Sequence, residues 1–371
     1  MLVLGIETSC DDTAAAVLRG DREILSNVVA TQLTHKEYGG VVPELASRQH
    51  LQHLLPVLTS ALERAGVQPA QLDGIAATAG PGLLGSLLVG LCTAAAYAYG
   101  LEKPFVGVHH IEGHIMANWL VEDMRFPCVV LVISGGHTQL YFMPRLGRFE
   151  ELGATRDDAA GEAFDKIGKM LGIAYPAGPV FETLARRGDS RAVPFSRARL
   201  KEGEFDFSFS GLKTAARLLL EREGFAPRTT VQPLFRAEER LPEEENGAPG
   251  RAPGERTAAE LETLPQRAFD ILASAQEAIA DMLAERTAAA VRATSVQHVY
   301  LAGGVAANGR LRERLGEVLE PLGAALHVPP PRLCTDNAAM IACAGSFRLR
   351  AGQVSGADLD AFARGPLESW A

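Results

Sequence analysis

The sequence predicts an α/β fold made of two similar halves that face a common cleft. The chain has 371 residues, which is enough for two domains. Short apolar runs bounded by turn-forming residues alternate with amphipathic stretches, a pattern typical of strands and helices packed in layers. An apolar run, a turn of small polar residues and a second apolar run occur in this order near residue 5 and again near residue 130. These observations favour a duplicated strand–turn–strand unit, although two ordinary hairpins have the same pattern.

The predicted strands are short and largely apolar, as expected for strands buried on both faces of a sheet. They cover residues 2–6, 75–77, 105–108, 129–133 and 299–302. The helices predicted between them cover residues 44–65, 161–171, 264–287 and 308–319. If the two strand–turn–strand units face each other, the backbone amides of their turns point at one phosphate in the cleft.

Residues 74–101 form a stretch of 28 residues without a charged side chain, which is long enough to span a membrane. Gly80, Pro81 and Gly82 interrupt this stretch, and its flanks carry no cluster of Lys or Arg. The sequence therefore predicts a strand over 74–78, a glycine loop and a buried helix over 83–99, and no association with a membrane.

The composition excludes several classes of protein. With 47% hydrophobic and 22% charged residues, the bulk of the chain is neither disordered nor collagen-like. The net charge of −9 argues against a protein that coats nucleic acid unaided. The five cysteines form no C-x-x-C pair, and the first residues lack a basic segment. We therefore expect a cytoplasmic protein without a disulfide framework or a signal peptide.

Residues 226–262 differ in composition from the rest of the chain. From residue 236 onward this segment is rich in Glu, Arg and Pro and contains almost no large apolar side chain. Such a segment cannot bury enough surface to offset the entropy lost on ordering it. We expect a flexible acidic insertion on the surface, between two helices and without a functional role.

A pair of histidines gives the sharpest local signal. His110 and His114 follow a predicted strand and begin a helical pattern, and residues four apart lie on one face of a helix. Two imidazoles so placed can share a metal ion, whereas one can instead cap the helix while the other is buried. Asp336 is the best candidate for a third ligand, although an Asp at that position can be a helix N-cap. Two His and one carboxylate favour Fe²⁺, with Zn²⁺ as the alternative.

Glu112 does not turn this motif into that of a zinc protease. That class of enzyme needs a Glu directly after the first His. Glu112 stands two residues after His110, about 200° around a helix, and is expected to face away from the metal. The hypothesis of a metalloprotease therefore lacks a general base.

Two glycine-containing turns follow predicted strands. Residues 80–85 match G-x-G-x-x-G, but no carboxylate ends the next strand to hold a ribose, so close packing of strand and helix explains the glycines equally well. Gly303 and Gly304 allow close approach to a flat ligand, and Asn308 can bond a ribose or a base. A plain strand-to-helix turn is the alternative there.

Charged residues are concentrated in two places. Asp157, Asp158, Glu162 and Asp165 are close in sequence, and such carboxylates repel each other unless cations or hydroxyls lie among them. A solvated first turn of a helix is the alternative. Residues 186–201 are predominantly basic and are a candidate contact to RNA phosphates or a solvated loop. Their cations are Arg186, Arg187, Arg191, Arg197, Arg199 and Lys201.

Nine short motifs, in order along nearly the whole chain, resemble those of one family, the bacterial TsaD family of tRNA threonylcarbamoyladenosine transferases. They are GIETSCD at 5–11, YGGVVPELASR at 38–48, TAGPGL at 78–83, HHIEGH at 109–114, SGGHTQ at 134–139, DDAAGEAFDK at 157–166, FSFSGLK at 207–213, GGV at 303–305 with Asn308, and TDN at 335–337. Nine collinear motifs are far more specific than any single one.

The resemblance implies a duplicated actin-like fold, of the sugar kinase and Hsp70 type, with lobes over residues 1–108 and 109–371. It implies one divalent metal ion, Fe²⁺ or Zn²⁺, on His110, His114 and Asp336. The ligand contacts of the family fall on Val132, Ile133, Ser134, Gly135, Gly136, Asp165, Gly178 and Asn308.

The reaction implied by the resemblance moves a threonylcarbamoyl group from threonylcarbamoyl-AMP to the exocyclic amine of the adenosine 3′ of the anticodon, in tRNAs that read codons beginning with A. Asp11 is then the candidate acceptor of the amine proton. The amides of residues 134–136 are the candidate donors to the phosphate. Because the chain is acidic, TsaB-like and TsaE-like partner proteins are expected to help it hold tRNA.

The chain departs from the family pattern in two places. Residue 12 is Asp where many relatives carry Glu, and the segment 226–262 is longer than the usual connection. The alternative to a transferase is a nucleotide-binding ATPase or scaffold with the actin-like fold.

Overall fold

The computed structural model describes residues 1–197, 203–225, 254–356 and 358–371, and two five-stranded sheets organise them. The strands of the first sheet are β1 (Leu2–Glu7), β2 (Asp12–Arg19), β3 (Glu23–Thr31), β4 (Gly74–Gly80) and β5 (Phe105–His109). Their spatial order is β3-β2-β1-β4-β5. β1 and β2 form an antiparallel hairpin, whereas β1, β4 and β5 run parallel to one another.

The second sheet repeats this plan. Its strands are β6 (Cys128–Ile133), β7 (Thr138–Met143), β8 (Glu150–Ala154), β9 (His298–Ala302) and β10 (Ala325–His327). Their order is β10-β9-β6-β7-β8, with an antiparallel β6–β7 hairpin and parallel pairing of β6 with β9 and of β9 with β10. The predicted duplication of a strand–turn–strand unit is confirmed, and the architecture is that of a duplicated α/β fold.

Helices cover the sheets and connect their strands. They are α1 (Pro43–Ala65), α2 (Leu84–Leu101), α3 (His110–Met116), α4 (Ala160–Met170), α5 (Gly178–Ala185), α6 (Ser210–Arg222), α7 (Ala258–Glu262), α8 (Gln266–Thr294), α9 (Gly309–Leu319), α10 (Pro331–Cys334) and α11 (Ala338–Arg350). The four predicted helices are present. α8 continues past its predicted end because residues 288–292 are mostly alanine, a strong helix former, and the chain turns at Ser295, which has a left-handed conformation.

The apolar helix α2 is only partly buried, which corrects the prediction of a buried helix. Leu87 and Leu91 are buried, but Leu84, Leu88 and Tyr99 are exposed. Within the described residues, α2 is the one helix that is long and apolar enough to cross a membrane, and a third of its residues are buried. Because nearly every residue of α2 is apolar, its sequence does not distinguish the packed face from the exposed one.

The last helix, α11, packs on the first sheet. An added Cβ at Gly5 of β1 would lie 2.3 Å from the carbonyl oxygen of Ala338, and one at Gly345 would lie 2.3 Å from Cβ of Ala76. These glycines allow the helix and the sheet to approach closely. The chain thus returns to the first sheet after Asn337, which differs from the predicted division in which all of 109–371 forms the second lobe.

Residues 254–262 are ordered, which corrects the prediction of a flexible segment for that part of 226–262. Thr257 and Glu260 form a capping box at the start of α7, and Leu261 is buried in the core. The guanidinium of Arg256 donates to the carbonyl oxygen of Leu171. The remainder of the predicted insertion, residues 226–253, lies outside the described residues, as do Arg199 and Lys201.

Candidate active site

A cleft of about 1040 Å³ lies between the two sheets, at the carboxyl ends of their central strands. Ligand sites of open α/β sheets occur at this edge because the loops after parallel strands meet there. The walls come from distant parts of the chain, at residues 9–12, 81–83, 134–137, 304 and 335–336, together with His110 at the start of α3. The two hairpin turns with similar sequence patterns, 8–11 and 134–137, therefore face the same cavity, as the duplication predicts.

His110, His114 and Asp336 form a compact cluster at the base of the cleft. Nε2 of His114 lies 3.1 Å from Oδ1 of Asp336, and Nε2 of His110 lies 3.7 Å from the same oxygen. One ligand atom from each of the three residues lies within 4.8 Å of the others. The predicted N-cap role belongs to the next residue, since Asn337 accepts a hydrogen bond from the amide of Met340. Asp336 is therefore free to face the histidines.

The charged groups of the cluster shift one another's pKa values. Burial acts to lower the pKa of His110, but the negative charges of Glu7 and Asp336 raise it to about 9. Burial likewise acts to raise the pKa of Asp336, but the positive charge of His110 holds it well below its usual range. The pocket thus stabilises positive charge between the buried carboxylate of Glu7 and the partly exposed carboxylate of Asp336.

The residues present fit a metal ion. His114 is fully buried, and its Nε2 lies 3.1 Å from Oδ1 of Asp336 without forming a well-aligned hydrogen bond. Because buried polar atoms without hydrogen bonds are costly, a ligand that accepts the Nε2 lone pair would satisfy this nitrogen. Two imidazoles and a carboxylate are suitable donors for a divalent transition metal.

Glu112 points away from this cluster, as predicted. Its carboxylate accepts hydrogen bonds from Arg348 and from Nε1 of Trp370 at 2.8 and 2.6 Å, and it is completely buried. It therefore anchors the C-terminal part of the chain to α3, and it does not reach a water molecule on the metal side.

The turn after β6 offers two backbone donors to the cleft. The amide of Ser134 donates to the carbonyl oxygen of His137, so it is engaged within the turn. This corrects the prediction that the amides of all three residues 134–136 receive a phosphate. Gly135 and Gly136 are exposed and line the cleft, and their amides have no protein acceptor in the described ranges.

Four of the predicted ligand residues lie outside the cleft lining. Val132 and Ile133 are completely buried on β6, so their side chains belong to the core. Gly178 begins α5, and an added Cβ there would meet open space. The side chain of Asn308 caps α9 by accepting from the amide of Leu311 and also donates to Gln276. Their roles as ligand contacts stay predictions.

Asp157 and Asp158 have partners that offset the predicted repulsion between neighbouring carboxylates. Asp157 accepts from the hydroxyl and amide of Ser210, and Asp158 pairs with Lys166 and Lys213. Asp165, in contrast, lines the cleft and has no cationic partner among the described side chains. Burial raises its pKa to about 6, although one oxygen accepts from the amide of Ala177 at 2.7 Å.

Asp11 and Asp12 line the opposite wall of the cleft. Burial is the main reason why the pKa of both carboxyl groups is raised above the ordinary value of Asp. The pKa of Asp12 rises to about 7. Oδ1 of Asp12 has no hydrogen-bond partner within the described ranges. A carboxyl group with a pKa of about 7, such as that of Asp12, can exchange a proton near neutral pH.

Sequence reasoning missed several residues of the site. Glu7 bonds His110, and His137, Tyr175 and Arg364 line the cleft. Arg364 belongs to the C-terminal tail and reaches the cleft only because the tail folds back, with the amide of Phe362 bonded to Ala79. Glu7 and His137 lie within the motifs at 5–11 and 134–139, but nothing in the local sequence distinguishes the role of any of these four residues.

In the described part of the basic stretch, residues 186–197, most of the basic side chains contact neighbouring side chains. Arg186 pairs with Glu182, and the guanidinium of Arg187 lies 4.0 Å from the ring centre of Phe269. Arg197 pairs with Asp281. These contacts support the interpretation of this stretch as a structured surface loop, and its contact with RNA stays a prediction.

Known proteins resemble this chain along nearly its full length. The family model of TsaD, described as tRNA N6-adenosine threonylcarbamoyltransferase, matches residues 23–343. A protein of that name from Symbiobacterium thermophilum is 51% identical and aligns over 97% of this chain and 95% of its own. Another from Geotalea uraniireducens is 47% identical over 100% of this chain and 97% of its own. The crystal structure of T. kodakarensis HypF matches the fold with a TM-score of 0.57 at 16% identity, over 94% of this chain and 48% of that one.

Proposed function

The chain belongs to the tRNA N6-adenosine threonylcarbamoyltransferase family, and from this membership we propose the reaction that it catalyses. It transfers the threonylcarbamoyl group of threonylcarbamoyl-AMP to the exocyclic amine of the adenosine 3′ of the anticodon, in tRNAs that read codons beginning with A. The observation that carries this proposal is the convergence of His110, His114 and Asp336 with the free amides of Gly135 and Gly136 in one cleft.

The cleft suits a donor that contains a phosphate and a carbonyl group. The amides of Gly135 and Gly136 can donate to the phosphate of the adenylate and stabilise the charge on AMP as it leaves. Asp165 lies on the same cleft wall, where it can accept hydrogen bonds from the ligand. Gly303, Gly304 and Asn308 lie at the end of β9 and are proposed to hold the adenosine.

His110, His114 and Asp336 are proposed to hold one divalent metal ion, Fe²⁺ or Zn²⁺. A metal ion at this position supplies Lewis acidity toward the oxygen atoms of the threonylcarbamoyl group. The protein contributes two imidazole nitrogens from buried histidines and one carboxylate oxygen from the partly exposed Asp336. The carboxylates of Glu7 and Asp336, which raise the pKa of His110, also attract a cation that takes the place of the proton on Nε2.

Asp11 is the proposed proton acceptor. The amine nitrogen of adenosine attacks the carbamoyl carbon, the bond from that carbon to the phosphate oxygen breaks, and AMP leaves with the bonding electrons. The nitrogen then gives up one proton, which the Asp11 carboxylate accepts. Burial raises the pKa of Asp11, which makes the carboxylate a better base than an exposed one.

The transferase acts on tRNA in the cytoplasm and with partner proteins. The net charge of −9 opposes unaided binding of a polyanion, so TsaB-like and TsaE-like proteins are proposed to assist. The helices α1 and α2 present exposed leucines that a partner protein can cover. These are Leu51, Leu55, Leu84 and Leu88.

The test is reconstitution of the transfer reaction. The protein is incubated with its partners, threonylcarbamoyl-AMP and unmodified tRNA, and the nucleosides of the digested tRNA are identified by mass spectrometry. We expect modified adenosine with the wild type and a loss of about 100-fold or more for Asp336→Ala and His110→Ala. Asp123→Ala, which removes an exposed carboxylate after α3, serves as the control and keeps full activity.

Two results would count against this function. Nucleotide binding by the wild type without any modified tRNA favours the actin-like scaffold. Undiminished transfer by Asp336→Ala removes the metal site from the mechanism.

A further inference from the structure

We propose that Glu7 is a positioning residue that fixes the ring of His110 so that Nε2 faces the metal site. This inference rests on the proposed function because it takes the cluster of His110, His114 and Asp336 as the metal site. It concerns a residue at the end of β1, 103 positions before the histidine that it orients.

The geometry around Glu7 is fully determined by hydrogen bonds. Its side chain is 1% exposed, so water does not compete for it. Oε2 lies 3.0 Å from Nδ1 of His110 and accepts a hydrogen bond from Oγ1 of Thr78 at 2.7 Å. Oε1 accepts from the amide of Ser9. Both carboxylate oxygens therefore act as acceptors, and the carboxylate is held in one orientation.

This arrangement selects the tautomer that His110 keeps when its charged ring gives up one proton to bind a metal ion. An ionised carboxylate can only accept, so the proton between Glu7 and His110 belongs to Nδ1. The lone pair of the ring then lies on Nε2. Nε2 is the nitrogen that faces Asp336, at 3.7 Å from Oδ1. A carboxylate that holds the far nitrogen of a ligating histidine fixes the ring and raises its basicity.

The same geometry predicts what an isosteric amide would do. In Glu7→Gln, an NH₂ group that faces His110 donates to Nδ1 and moves the ring proton to Nε2, where it blocks the metal. An NH₂ group that faces Ser9 opposes the amide N–H of that residue, so the side chain must rotate away. The first orientation therefore places the ring proton on the wrong nitrogen, and the second breaks the hydrogen bond from Ser9, so either one weakens the metal site at His110.

The test measures the Zn²⁺ affinity of the protein and identifies the nitrogen of His110 that binds the ion. Zn²⁺ affinity is determined by competition with a chromophoric chelator for the full-length wild type, Glu7→Gln and a control, Glu112→Gln. Glu112 is equally buried and lies in the same helix as the histidines, but it bonds Arg348 and Trp370. We expect Glu7→Gln to weaken Zn²⁺ binding about 10- to 100-fold and Glu112→Gln to change it by less than about 3-fold. Thermal unfolding followed by circular dichroism confirms that both variants fold.

A second measurement applies to the wild type and does not depend on the fold of a variant. In Zn²⁺-loaded protein labelled with ¹⁵N-histidine, NMR should show His110 bound through Nε2, with a slowly exchanging proton on Nδ1. Wild-type affinity in folded Glu7→Gln, or coordination through Nδ1, overturns the proposal. Failure of the transferase function would appear differently, as metal-loaded wild type that modifies no tRNA.

Discussion

The carboxyl group of Asp165 gives the cleft a reactive or ligand-binding group, and at neutral pH it lowers the stability of the folded protein. Burial raises the pKa of Asp165 in the folded protein from its ordinary value of 3.8 to about 6. The folded state therefore keeps a proton that the unfolded chain loses between these pH values, and stability contributed by the neutral form is lost as pH rises through this window. Above pH 6 the buried carboxylate is charged, and its desolvation opposes folding.

The variant Asp165→Asn should relieve this cost, because the amide oxygen can still accept from Ala177. We expect it to be more stable than the wild type by about 1–3 kcal/mol at pH 7 and equal to it near pH 4. Urea unfolding at both pH values measures the difference. Equal stability at both pH values would show that the raised pKa of Asp165 is not part of the folded state.

The pKa of Asp157 is shifted in the opposite direction to that of Asp165, so Asp157 serves as a control. Although burial acts to raise its pKa, hydrogen bonds from Ser208, Phe209 and Ser210 lower it below the usual range. Its carboxylate therefore stabilises the fold above the unfolded pKa, and this contribution disappears as pH falls. Asp157→Asn should thus lose stability at pH 7, where Asp165→Asn gains it.

At the scale of elements, the contact between β1 and α11 sets the position of Asp336. α11 begins two residues after Asp336, and its packing depends on the missing side chain of Gly5. A Cβ at Gly5 would lie 2.3 Å from the carbonyl oxygen of Ala338 and 2.7 Å from the amide nitrogen of Ala342. These are backbone atoms of the helix, so the whole helix must move to make room.

Gly5→Ala should therefore destabilise the protein by about 1–3 kcal/mol and also weaken metal binding, because Asp336 moves with the helix. Gly100→Ala is the matched control, since Gly100 lies in α2 with nothing within 4 Å of an added Cβ. That substitution should be neutral or stabilise the protein by up to about 1 kcal/mol. Denaturant unfolding and Zn²⁺ titration of both variants check the pair. Full stability and affinity in Gly5→Ala would contradict the close packing.

Elements with a strong local pattern could be predicted from the sequence, and those that depend on distant partners could not. Apolar runs located β1, β4, β5, β6 and β9, and the repeated strand–turn–strand unit implied β2 and β7, but β3, β8 and β10 were not predicted. The i, i+4 spacing placed His110 and His114 on one face of α3. The position of α11 on the first sheet depends on glycines more than 300 residues apart, Gly5 and Gly345. Glu7 lies within the GIETSCD motif, but the motif does not reveal its role, because its partners, Thr78 and His110, are 71 and 103 residues away.

At the scale of the whole molecule, the duplicated fold brings together segments that are far apart in the chain. The hairpin turns of the two sheets form facing walls of one cleft, and the return of the chain through Asp336 to α11 completes the cluster of three ligands. Each wall contributes a different function. The first lobe carries the carboxylates of Asp11 and Asp12, and the second carries the glycine amides of the turn after β6.

The most direct test of this account is a crystal structure of the protein grown with Zn²⁺ and AMP, with anomalous data collected at the zinc edge. We predict one anomalous peak about 2.0–2.2 Å from nitrogen atoms of His110 and His114 and an oxygen of Asp336, with the phosphate within hydrogen-bond distance of the amides of Gly135 and Gly136. Zinc bound at other residues, or a nucleotide bound outside the cleft, would contradict the central claim that these groups form a single active site.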